Sequence, residues 1–223
     1  MTTVRDNNQM AQYQGRVVVF GGTGFIGSVI VSELLSRARH VVVAARHTDR
    51  QEGSVGLPGL IRVAVDAADS HADMRFIDGR DTVVIALGLR DGSTDSMSVG
   101  TRNIIAAMKA AGAQRLVCIS GLGAGESIRE TPRVYRIMVR FIRKLRLLLE
   151  DHGRQEVMVR TSGLEWTIIR PSRVLSTAAS GSVTLDPPPA QRAKSVSVYD
   201  LAREVADIAE STNAGGLTLT IAG

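Results

Sequence analysis

The chain has 223 residues, of which 44% are hydrophobic, 22% charged and 4% aromatic, with a formal net charge of +5, a mean hydropathy of +0.07 and a pI near 10.0. No apolar run approaches the roughly 20 residues that span a bilayer, and aromatic side chains are too few to stack bases, so neither a transmembrane segment nor nucleic-acid binding is expected. The basic balance suits a ligand that carries several phosphates, and no metal is expected.

The first 14 residues are polar, lack a signal-peptide pattern, and are expected to form a loosely attached tail. The apolar run at 16–20 ends in glycines and predicts a first strand, and 25–37 has helical spacing. Further strands are expected at 41–45, 61–65, 81–87, 116–120, 166–169 and 217–221. Helices are expected at about 70–77, 96–111 and 198–210. Continuous β-branched runs alternating with helices predict a buried parallel sheet covered on both faces. The expected architecture is therefore one Rossmann-type, doubly wound α/β domain over 15–223. Its C-terminal third is expected to add a small substrate-covering part, and Asp186-Pro187-Pro188-Pro189 reads as a surface excursion. Cys118 is the one cysteine, which precludes an internal disulfide and suits a reducing cytoplasm. Inside an apolar run it reads as a buried small hydrophobe.

Residues 133–150 predict one amphipathic helix. Ile137, Phe141, Leu145 and Leu148 follow helical spacing, while Arg136, Arg140 and Arg143 line another face near Lys144 and Arg146. This pattern fits a packed helix with a basic solvent face, a surface for an anionic substrate, or contact with a membrane surface or nucleic acid.

The first strand runs directly into Gly21-Gly22-Thr23-Gly24-Phe25-Ile26-Gly27. One glycine permits a tight turn, a second lets backbone approach a diphosphate, and a third lets the helix pack close to the sheet. The helix start adds N–H groups and a positive dipole end. With a strand before it and a helix after it, the turn reads as a dinucleotide site. Arg46 follows the second strand where an NAD site usually carries an acid, with His47 and Arg50 close behind. A guanidinium pairs with a 2′-phosphate, so NADP(H) is preferred and NAD(H) remains an alternative. Otherwise Arg46 is a solvated loop charge. Asp66-Ala67 follows the third strand, where the Asp is either an acceptor for an adenine amino group or a helix N-cap. Ala86-Leu87-Gly88 ends the fourth strand with small and apolar residues against which ribose and nicotinamide can lie.

The three-residue spacing of Gly21, Gly24 and Gly27 resembles extended and atypical short-chain dehydrogenase/reductases. Three further stretches extend that resemblance: 83–90 with Val99-Gly100-Thr101-Arg102-Asn103, then Ser162-Gly163-Leu164-Glu165-Trp166 running on to Arg170-Pro171, and Ser197-Val198-Tyr199-Asp200-Leu201-Ala202. Together they resemble the NAD(P)H-binding atypical reductases that include biliverdin-IXβ reductase, a flavin reductase, and the NmrA-like proteins. The resemblance implies hydride transfer from NADPH to a planar conjugated acceptor such as a flavin, quinone or tetrapyrrole. It also places Ser120 near the nicotinamide, Pro171 to Val174 over its carboxamide, and Asn103 as a brace for the loops near the cofactor.

Most of the wider family uses a Tyr with a Lys four residues on as the proton-transfer pair. Here Tyr135 is followed by Val139, and Gly121 stands where the accompanying serine usually lies. Carbonyl–alcohol chemistry is disfavoured, whereas a flavin-like acceptor can take its proton from solvent. The polar groups expected near substrate are Ser120, His152 and Arg173. His152 reads either as a proton donor or as a surface or capping residue. Arg173 stands where the biliverdin-reductase type has a His, and reads either as a holder of an anionic acceptor or as a solvated loop charge. A cofactor-sensing regulator and a nucleotide-sugar epimerase or dehydratase are the competing functions.

Overall fold

Short runs of valine and isoleucine form the middle of one sheet, because branched side chains are stiff and pack well on a pleated surface. The computed structural model describes residues 15–48, 57–90, 92–188, 191–192, 194–211 and 215–223. The expected tail at 1–14, Arg50 and Pro189 lie outside the described residues. The strands are β1 (Val17–Phe20), β2 (Val41–Ala45), β3 (Leu60–Ala64), β4 (Thr82–Ile85), β5 (Arg115–Ile119), β6 (Glu165–Pro171), β7 (Val174–Leu175), β8 (Thr184–Leu185), β9 (Val196–Ser197) and β10 (Leu217–Ala222). The helices are α1 (Phe25–Ser36), α2 (Ser96–Ala111), α3 (Arg133–Phe141), α4 (Arg143–Arg160) and α5 (Val198–Glu210), with a 3-10 turn at Gly125–Glu130.

Among the described residues the main sheet runs β3-β2-β1-β4-β5-β6-β10-β8. Every pairing in it is parallel except β8 with β10. Since β1 neighbours both β2 and β4, the strand order reverses there and opens a crevice at the carboxyl ends. Successive side chains alternate between two cores. Val17 and Val19 join Ile30, Leu34, Leu201 and Val205 of α1 and α5. Val18 and Phe20 join Ile104, Met108 and Val159 on the α2 and α4 face. The expected doubly wound architecture is the one found. The small pairing of β7 with β9, and β8 at the sheet edge, were not foreseen in the sequence.

Two expected helices need correction. Residues 70–77 are not helical. The Asp69 and Asp73 side chains accept the N–H groups of His71 and Arg75, and Asp66 and Asp78 do the same for Ala68 and Arg80. These local bonds replace a helical ladder, as short acidic side chains readily do. Met74 and Ile77 still anchor the segment in the core. The single helix expected at 133–150 is broken at Ile142, whose backbone is extended, and it continues to Arg160. The break frees α4 to pack on α2 while α3 stays at the surface, with none of its residues fully buried.

Candidate functional site

The turn between β1 and α1 is shaped by backbone contacts that exclude side chains. Gly21 has φ +79°, and a Cβ there would lie 2.4 Å from the Ala86 carbonyl oxygen. A Cβ on Gly27 would lie 2.2 Å from the carbonyl oxygen of Gly21. The loop is closed by the Gly24 N–H donating to the Gly21 carbonyl at 2.9 Å, and tied to β2 by the Gly21 N–H donating to Ala44 at 3.0 Å. Gly24 is the extended residue before α1, and the first turn of α1 has neither a side-chain cap nor an acidic residue. Its N–H groups and the positive dipole end are therefore available to an anion. This geometry fits a dinucleotide diphosphate.

A cleft of about 260 Å³ opens from this turn across the strand ends. Gly21, Thr23, Gly24, Arg46, Asp66, Ala67, Ala86, Leu87 and Gly88 all line it. One wall thus unites the ends of β1, β2, β3 and β4, as the strand order requires. Phe25, Ile26 and Gly27 continue the turn into α1. Arg46 is exposed at the end of β2. Asp66 is no helix N-cap. One of its oxygens accepts the Ala68 N–H at 3.1 Å, and the other pairs with Arg90 at 2.8 Å. Arg90, which also lines the cleft, was not picked out from the sequence, because its partner lies 24 positions away. Asn103 donates from α2 to the Ala67 and Asp69 carbonyls at 2.9 and 3.3 Å, and so braces the loop after β3. A larger depression of about 510 Å³ runs along alanines of α2, including Ala106, Ala107 and Ala110, and shares no lining residue with the cleft. The backbone donors lie at the smaller one.

Beside this cleft, the ends of β5 and β6 carry a buried polar layer. The Ser120 hydroxyl donates to Glu156 Oε1 at 2.7 Å. Arg170 grips the same carboxylate with two bonds, Nε at 2.8 Å and Nη2 at 2.6 Å, a fork geometry that suits a guanidinium. Arg170 also reaches Glu126 at 2.9 Å, and that bond holds the Glu126 carboxyl below its ordinary pKa. Glu156 and Asp151 are fully buried on α4. Asp151 Oδ2 accepts the Met97 N–H at 2.9 Å, and Oδ1 accepts the Ser98 hydroxyl at 2.5 Å, so the carboxylate caps α2 from another helix.

His152 is buried, not a surface residue. Its Nδ1 lies 3.0 Å from Gln155 Oε1, while Gln155 Nε2 donates to Thr101 at 2.8 Å. That chain assigns the proton to Nδ1. Burial lowers the imidazole pKa, against the Gln155 bond and the charges of Glu156 and Asp151. The ring edge faces Gly121, where a Cβ would lie 3.7 Å from Cδ2. Tyr135 packs half-buried against Gly123, and burial raises its phenol pKa. Burial, followed by the charge of Glu156, also raises the Cys118 thiol pKa, as befits a core residue. Pro171 is buried, Val174 partly buried and Arg173 exposed at the end of β6. Ser120, His152, Pro171, Arg173 and Val174 do not line the glycine-turn cleft.

The comparisons agree with this geometry. A family model described as NAD(P)H-binding matches residues 21–212. An uncharacterized chloroplastic protein of Arabidopsis thaliana is 28% identical over 204 residues, which is 86% of this chain and 70% of that one. Among solved structures, ChuY of Escherichia coli O157:H7, an anaerobillin reductase, is 19% identical with a TM-score of 0.75, covering 93% of this chain and 96% of that one. A wide-type short-chain dehydrogenase/reductase from Veillonella parvula, solved in complex with NADP, is 15% identical with a TM-score of 0.71, covering 94% of each chain. At such identities these two structures establish the fold. The family match is the NAD(P)H-binding one expected, and the two structures share the expected fold.

Proposed function

The chain belongs to the NAD(P)H-binding family, and from that premise we propose that it is an NADPH-dependent reductase of a planar conjugated acceptor, of the flavin, quinone or tetrapyrrole kind. The observation that carries the cofactor choice is exposed Arg46 in the wall of the glycine-turn cleft, at the end of β2. A guanidinium there suits a 2′-phosphate, where a carboxylate would suit a ribose diol. The name of the structural neighbour ChuY, an anaerobillin reductase, supports the acceptor class.

In this reading the backbone of Gly21, Thr23, Gly24, Phe25, Ile26 and Gly27 holds the diphosphate. Arg46 holds the 2′-phosphate. Asp66 and Ala67 meet the adenine, and Ala86, Leu87 and Gly88 form the bed for ribose and nicotinamide. Ser120, Pro171 and Val174 border the nicotinamide. NADPH, when bound, supplies the hydride. Ser120 has its hydroxyl proton directed to Glu156, so it offers lone pairs to a neighbour and does not deliver that proton. His152 stays neutral and shapes the wall beside Gly121. Arg173 is exposed and meets an anionic group of the acceptor. Solvent supplies the proton, since Tyr135 has Val139 and not a lysine four residues on. Catalysis is then proximity and orientation. The buried thiol of Cys118 suits the reducing cytoplasm proposed as its compartment.

The test is NADPH oxidation with a panel of flavins, quinones and biliverdins. Turnover on at least one class is expected, with Arg173→Ala raising KM for anionic acceptors more than it lowers kcat. Tight NADPH binding without turnover on any acceptor overturns the reductase in favour of a cofactor-sensing regulator.

A further inference from the structure

Helix α3 carries the apolar spacing of a core helix, yet that stripe faces outward. Val134, Ile137, Met138 and Phe141 recur at i, i+3, i+4 and i+7, and they are 78%, 59%, 41% and 78% exposed. Ile142, at the break before α4, extends the stripe and is also exposed. The side of α3 turned to the protein is Tyr135 and Val139, both only partly buried. Arg133, Arg136 and Arg140 form a third strip, directly beside the apolar one at 100° per residue. From Thr131 to Leu149 the chain holds six cations and no acid.

We propose that α3 and the start of α4 dock on an anionic lipid bilayer surface. The stripe enters the boundary between headgroups and acyl chains, and the arginines pair with lipid phosphates. Helices that lie in a membrane interface combine an apolar face with a cationic one in this way. Charge complementarity selects this occupant. A second copy would bring two cationic strips together, and an apolar groove alone would leave the arginines unanswered. An anionic bilayer offers negative charge and apolar depth at adjacent levels. No helix among the described residues is long and apolar enough to cross a membrane, so the contact is peripheral.

The test is co-sedimentation of the full chain with vesicles of phosphatidylcholine alone and of phosphatidylcholine mixed equally with phosphatidylglycerol. The chain is expected to sediment with the mixed vesicles and to be released by high salt, with little binding to the neutral ones. Each arginine near an anionic surface contributes about fivefold to affinity, so R136Q with R140Q weakens binding by about twentyfold. I137S with F141S is expected to abolish binding while leaving circular dichroism and NADPH affinity unchanged, since both side chains are exposed. The proposal is overturned if the chain stays in solution with mixed vesicles, or if I137S/F141S sediments as well as the parent. It is also overturned if the parent forms a dimer that the same pair dissociates and ignores vesicles.

Discussion

Helices α1 and α2 both begin at the carboxyl edge of the sheet, after the neighbouring strands β1 and β4, yet their first turns are treated in opposite ways. At α2, the buried carboxylate of Asp151 reaches across from α4 and accepts the N–H groups of Met97 and Ser98. At α1, Gly24 precedes the helix, with no side-chain cap and no acid in the first turn. Each start has the same unsatisfied donors and the same positive dipole end. At α2 the protein supplies the anion, and at α1 the geometry leaves that place for a ligand. The β1 side of the crevice is built from backbone, the β5–β6 side from charged side chains locked to one another.

The largest effect is expected where the backbone side is filled. G27A would place a Cβ against the Gly21 carbonyl, which is main chain and cannot rotate away. NADPH affinity should fall more than about a hundredfold, with stability falling by about 1 to 3 kcal/mol. Calorimetric titration together with urea unfolding separates the two. Next, D151A removes the anion that α2 depends on, taking the acceptor from the Met97 and Ser98 N–H groups and leaving the Ser98 hydroxyl only the Asp95 carbonyl. It should cost about 2 kcal/mol in urea unfolding, with NADPH affinity held within a factor of about two. A large loss of affinity would mean that the two sides are not separate.

His152 gives the polar side a pH signature. Burial holds its folded pKa below the ordinary value, so the unfolded chain binds the extra proton first. This contribution is present above about pH 6.5 and is lost as pH falls below it. H152Q should flatten the fall in unfolding free energy as pH drops below about 6.5, and an unchanged slope would show that this imidazole does not set it. The smallest stability effect, and the sharpest in sign, is F25D. An acid placed in the first turn of α1 should stabilise the free protein by about 0.3 to 1 kcal/mol while weakening NADPH binding. Both quantities moving together would contradict the contrast between the two helix starts.

The backbone side was largely legible in the sequence, because a tight turn and a close helix approach demand glycine at particular places. Gly21, Gly24 and Gly27 could be placed by their neighbours in the chain alone. The polar side was not legible, since its partners are distant in sequence: Ser98 with Asp151 is 53 positions apart, Ser120 with Glu156 is 36. Arg170 alone left a signal, a charge that directly continues the apolar strand run Trp166-Thr167-Ile168-Ile169 and requires a partner when buried. The segment at 70–77 was misread because its apolar spacing is helical, while its aspartates bond to the backbone two residues on. The outward stripe of α3 cannot be told from a core stripe by periodicity, which reports a face but not what covers it.

The central claim is that the glycine turn and Arg46 select NADP(H), and paired titrations of NADPH and NADH against the parent chain and R46D test it most directly. The parent should prefer NADPH, and R46D should weaken NADPH by at least about tenfold, the loss of one charge-assisted pair, with NADH little changed. Equal losses for both cofactors, or a parent that prefers NADH, would contradict it.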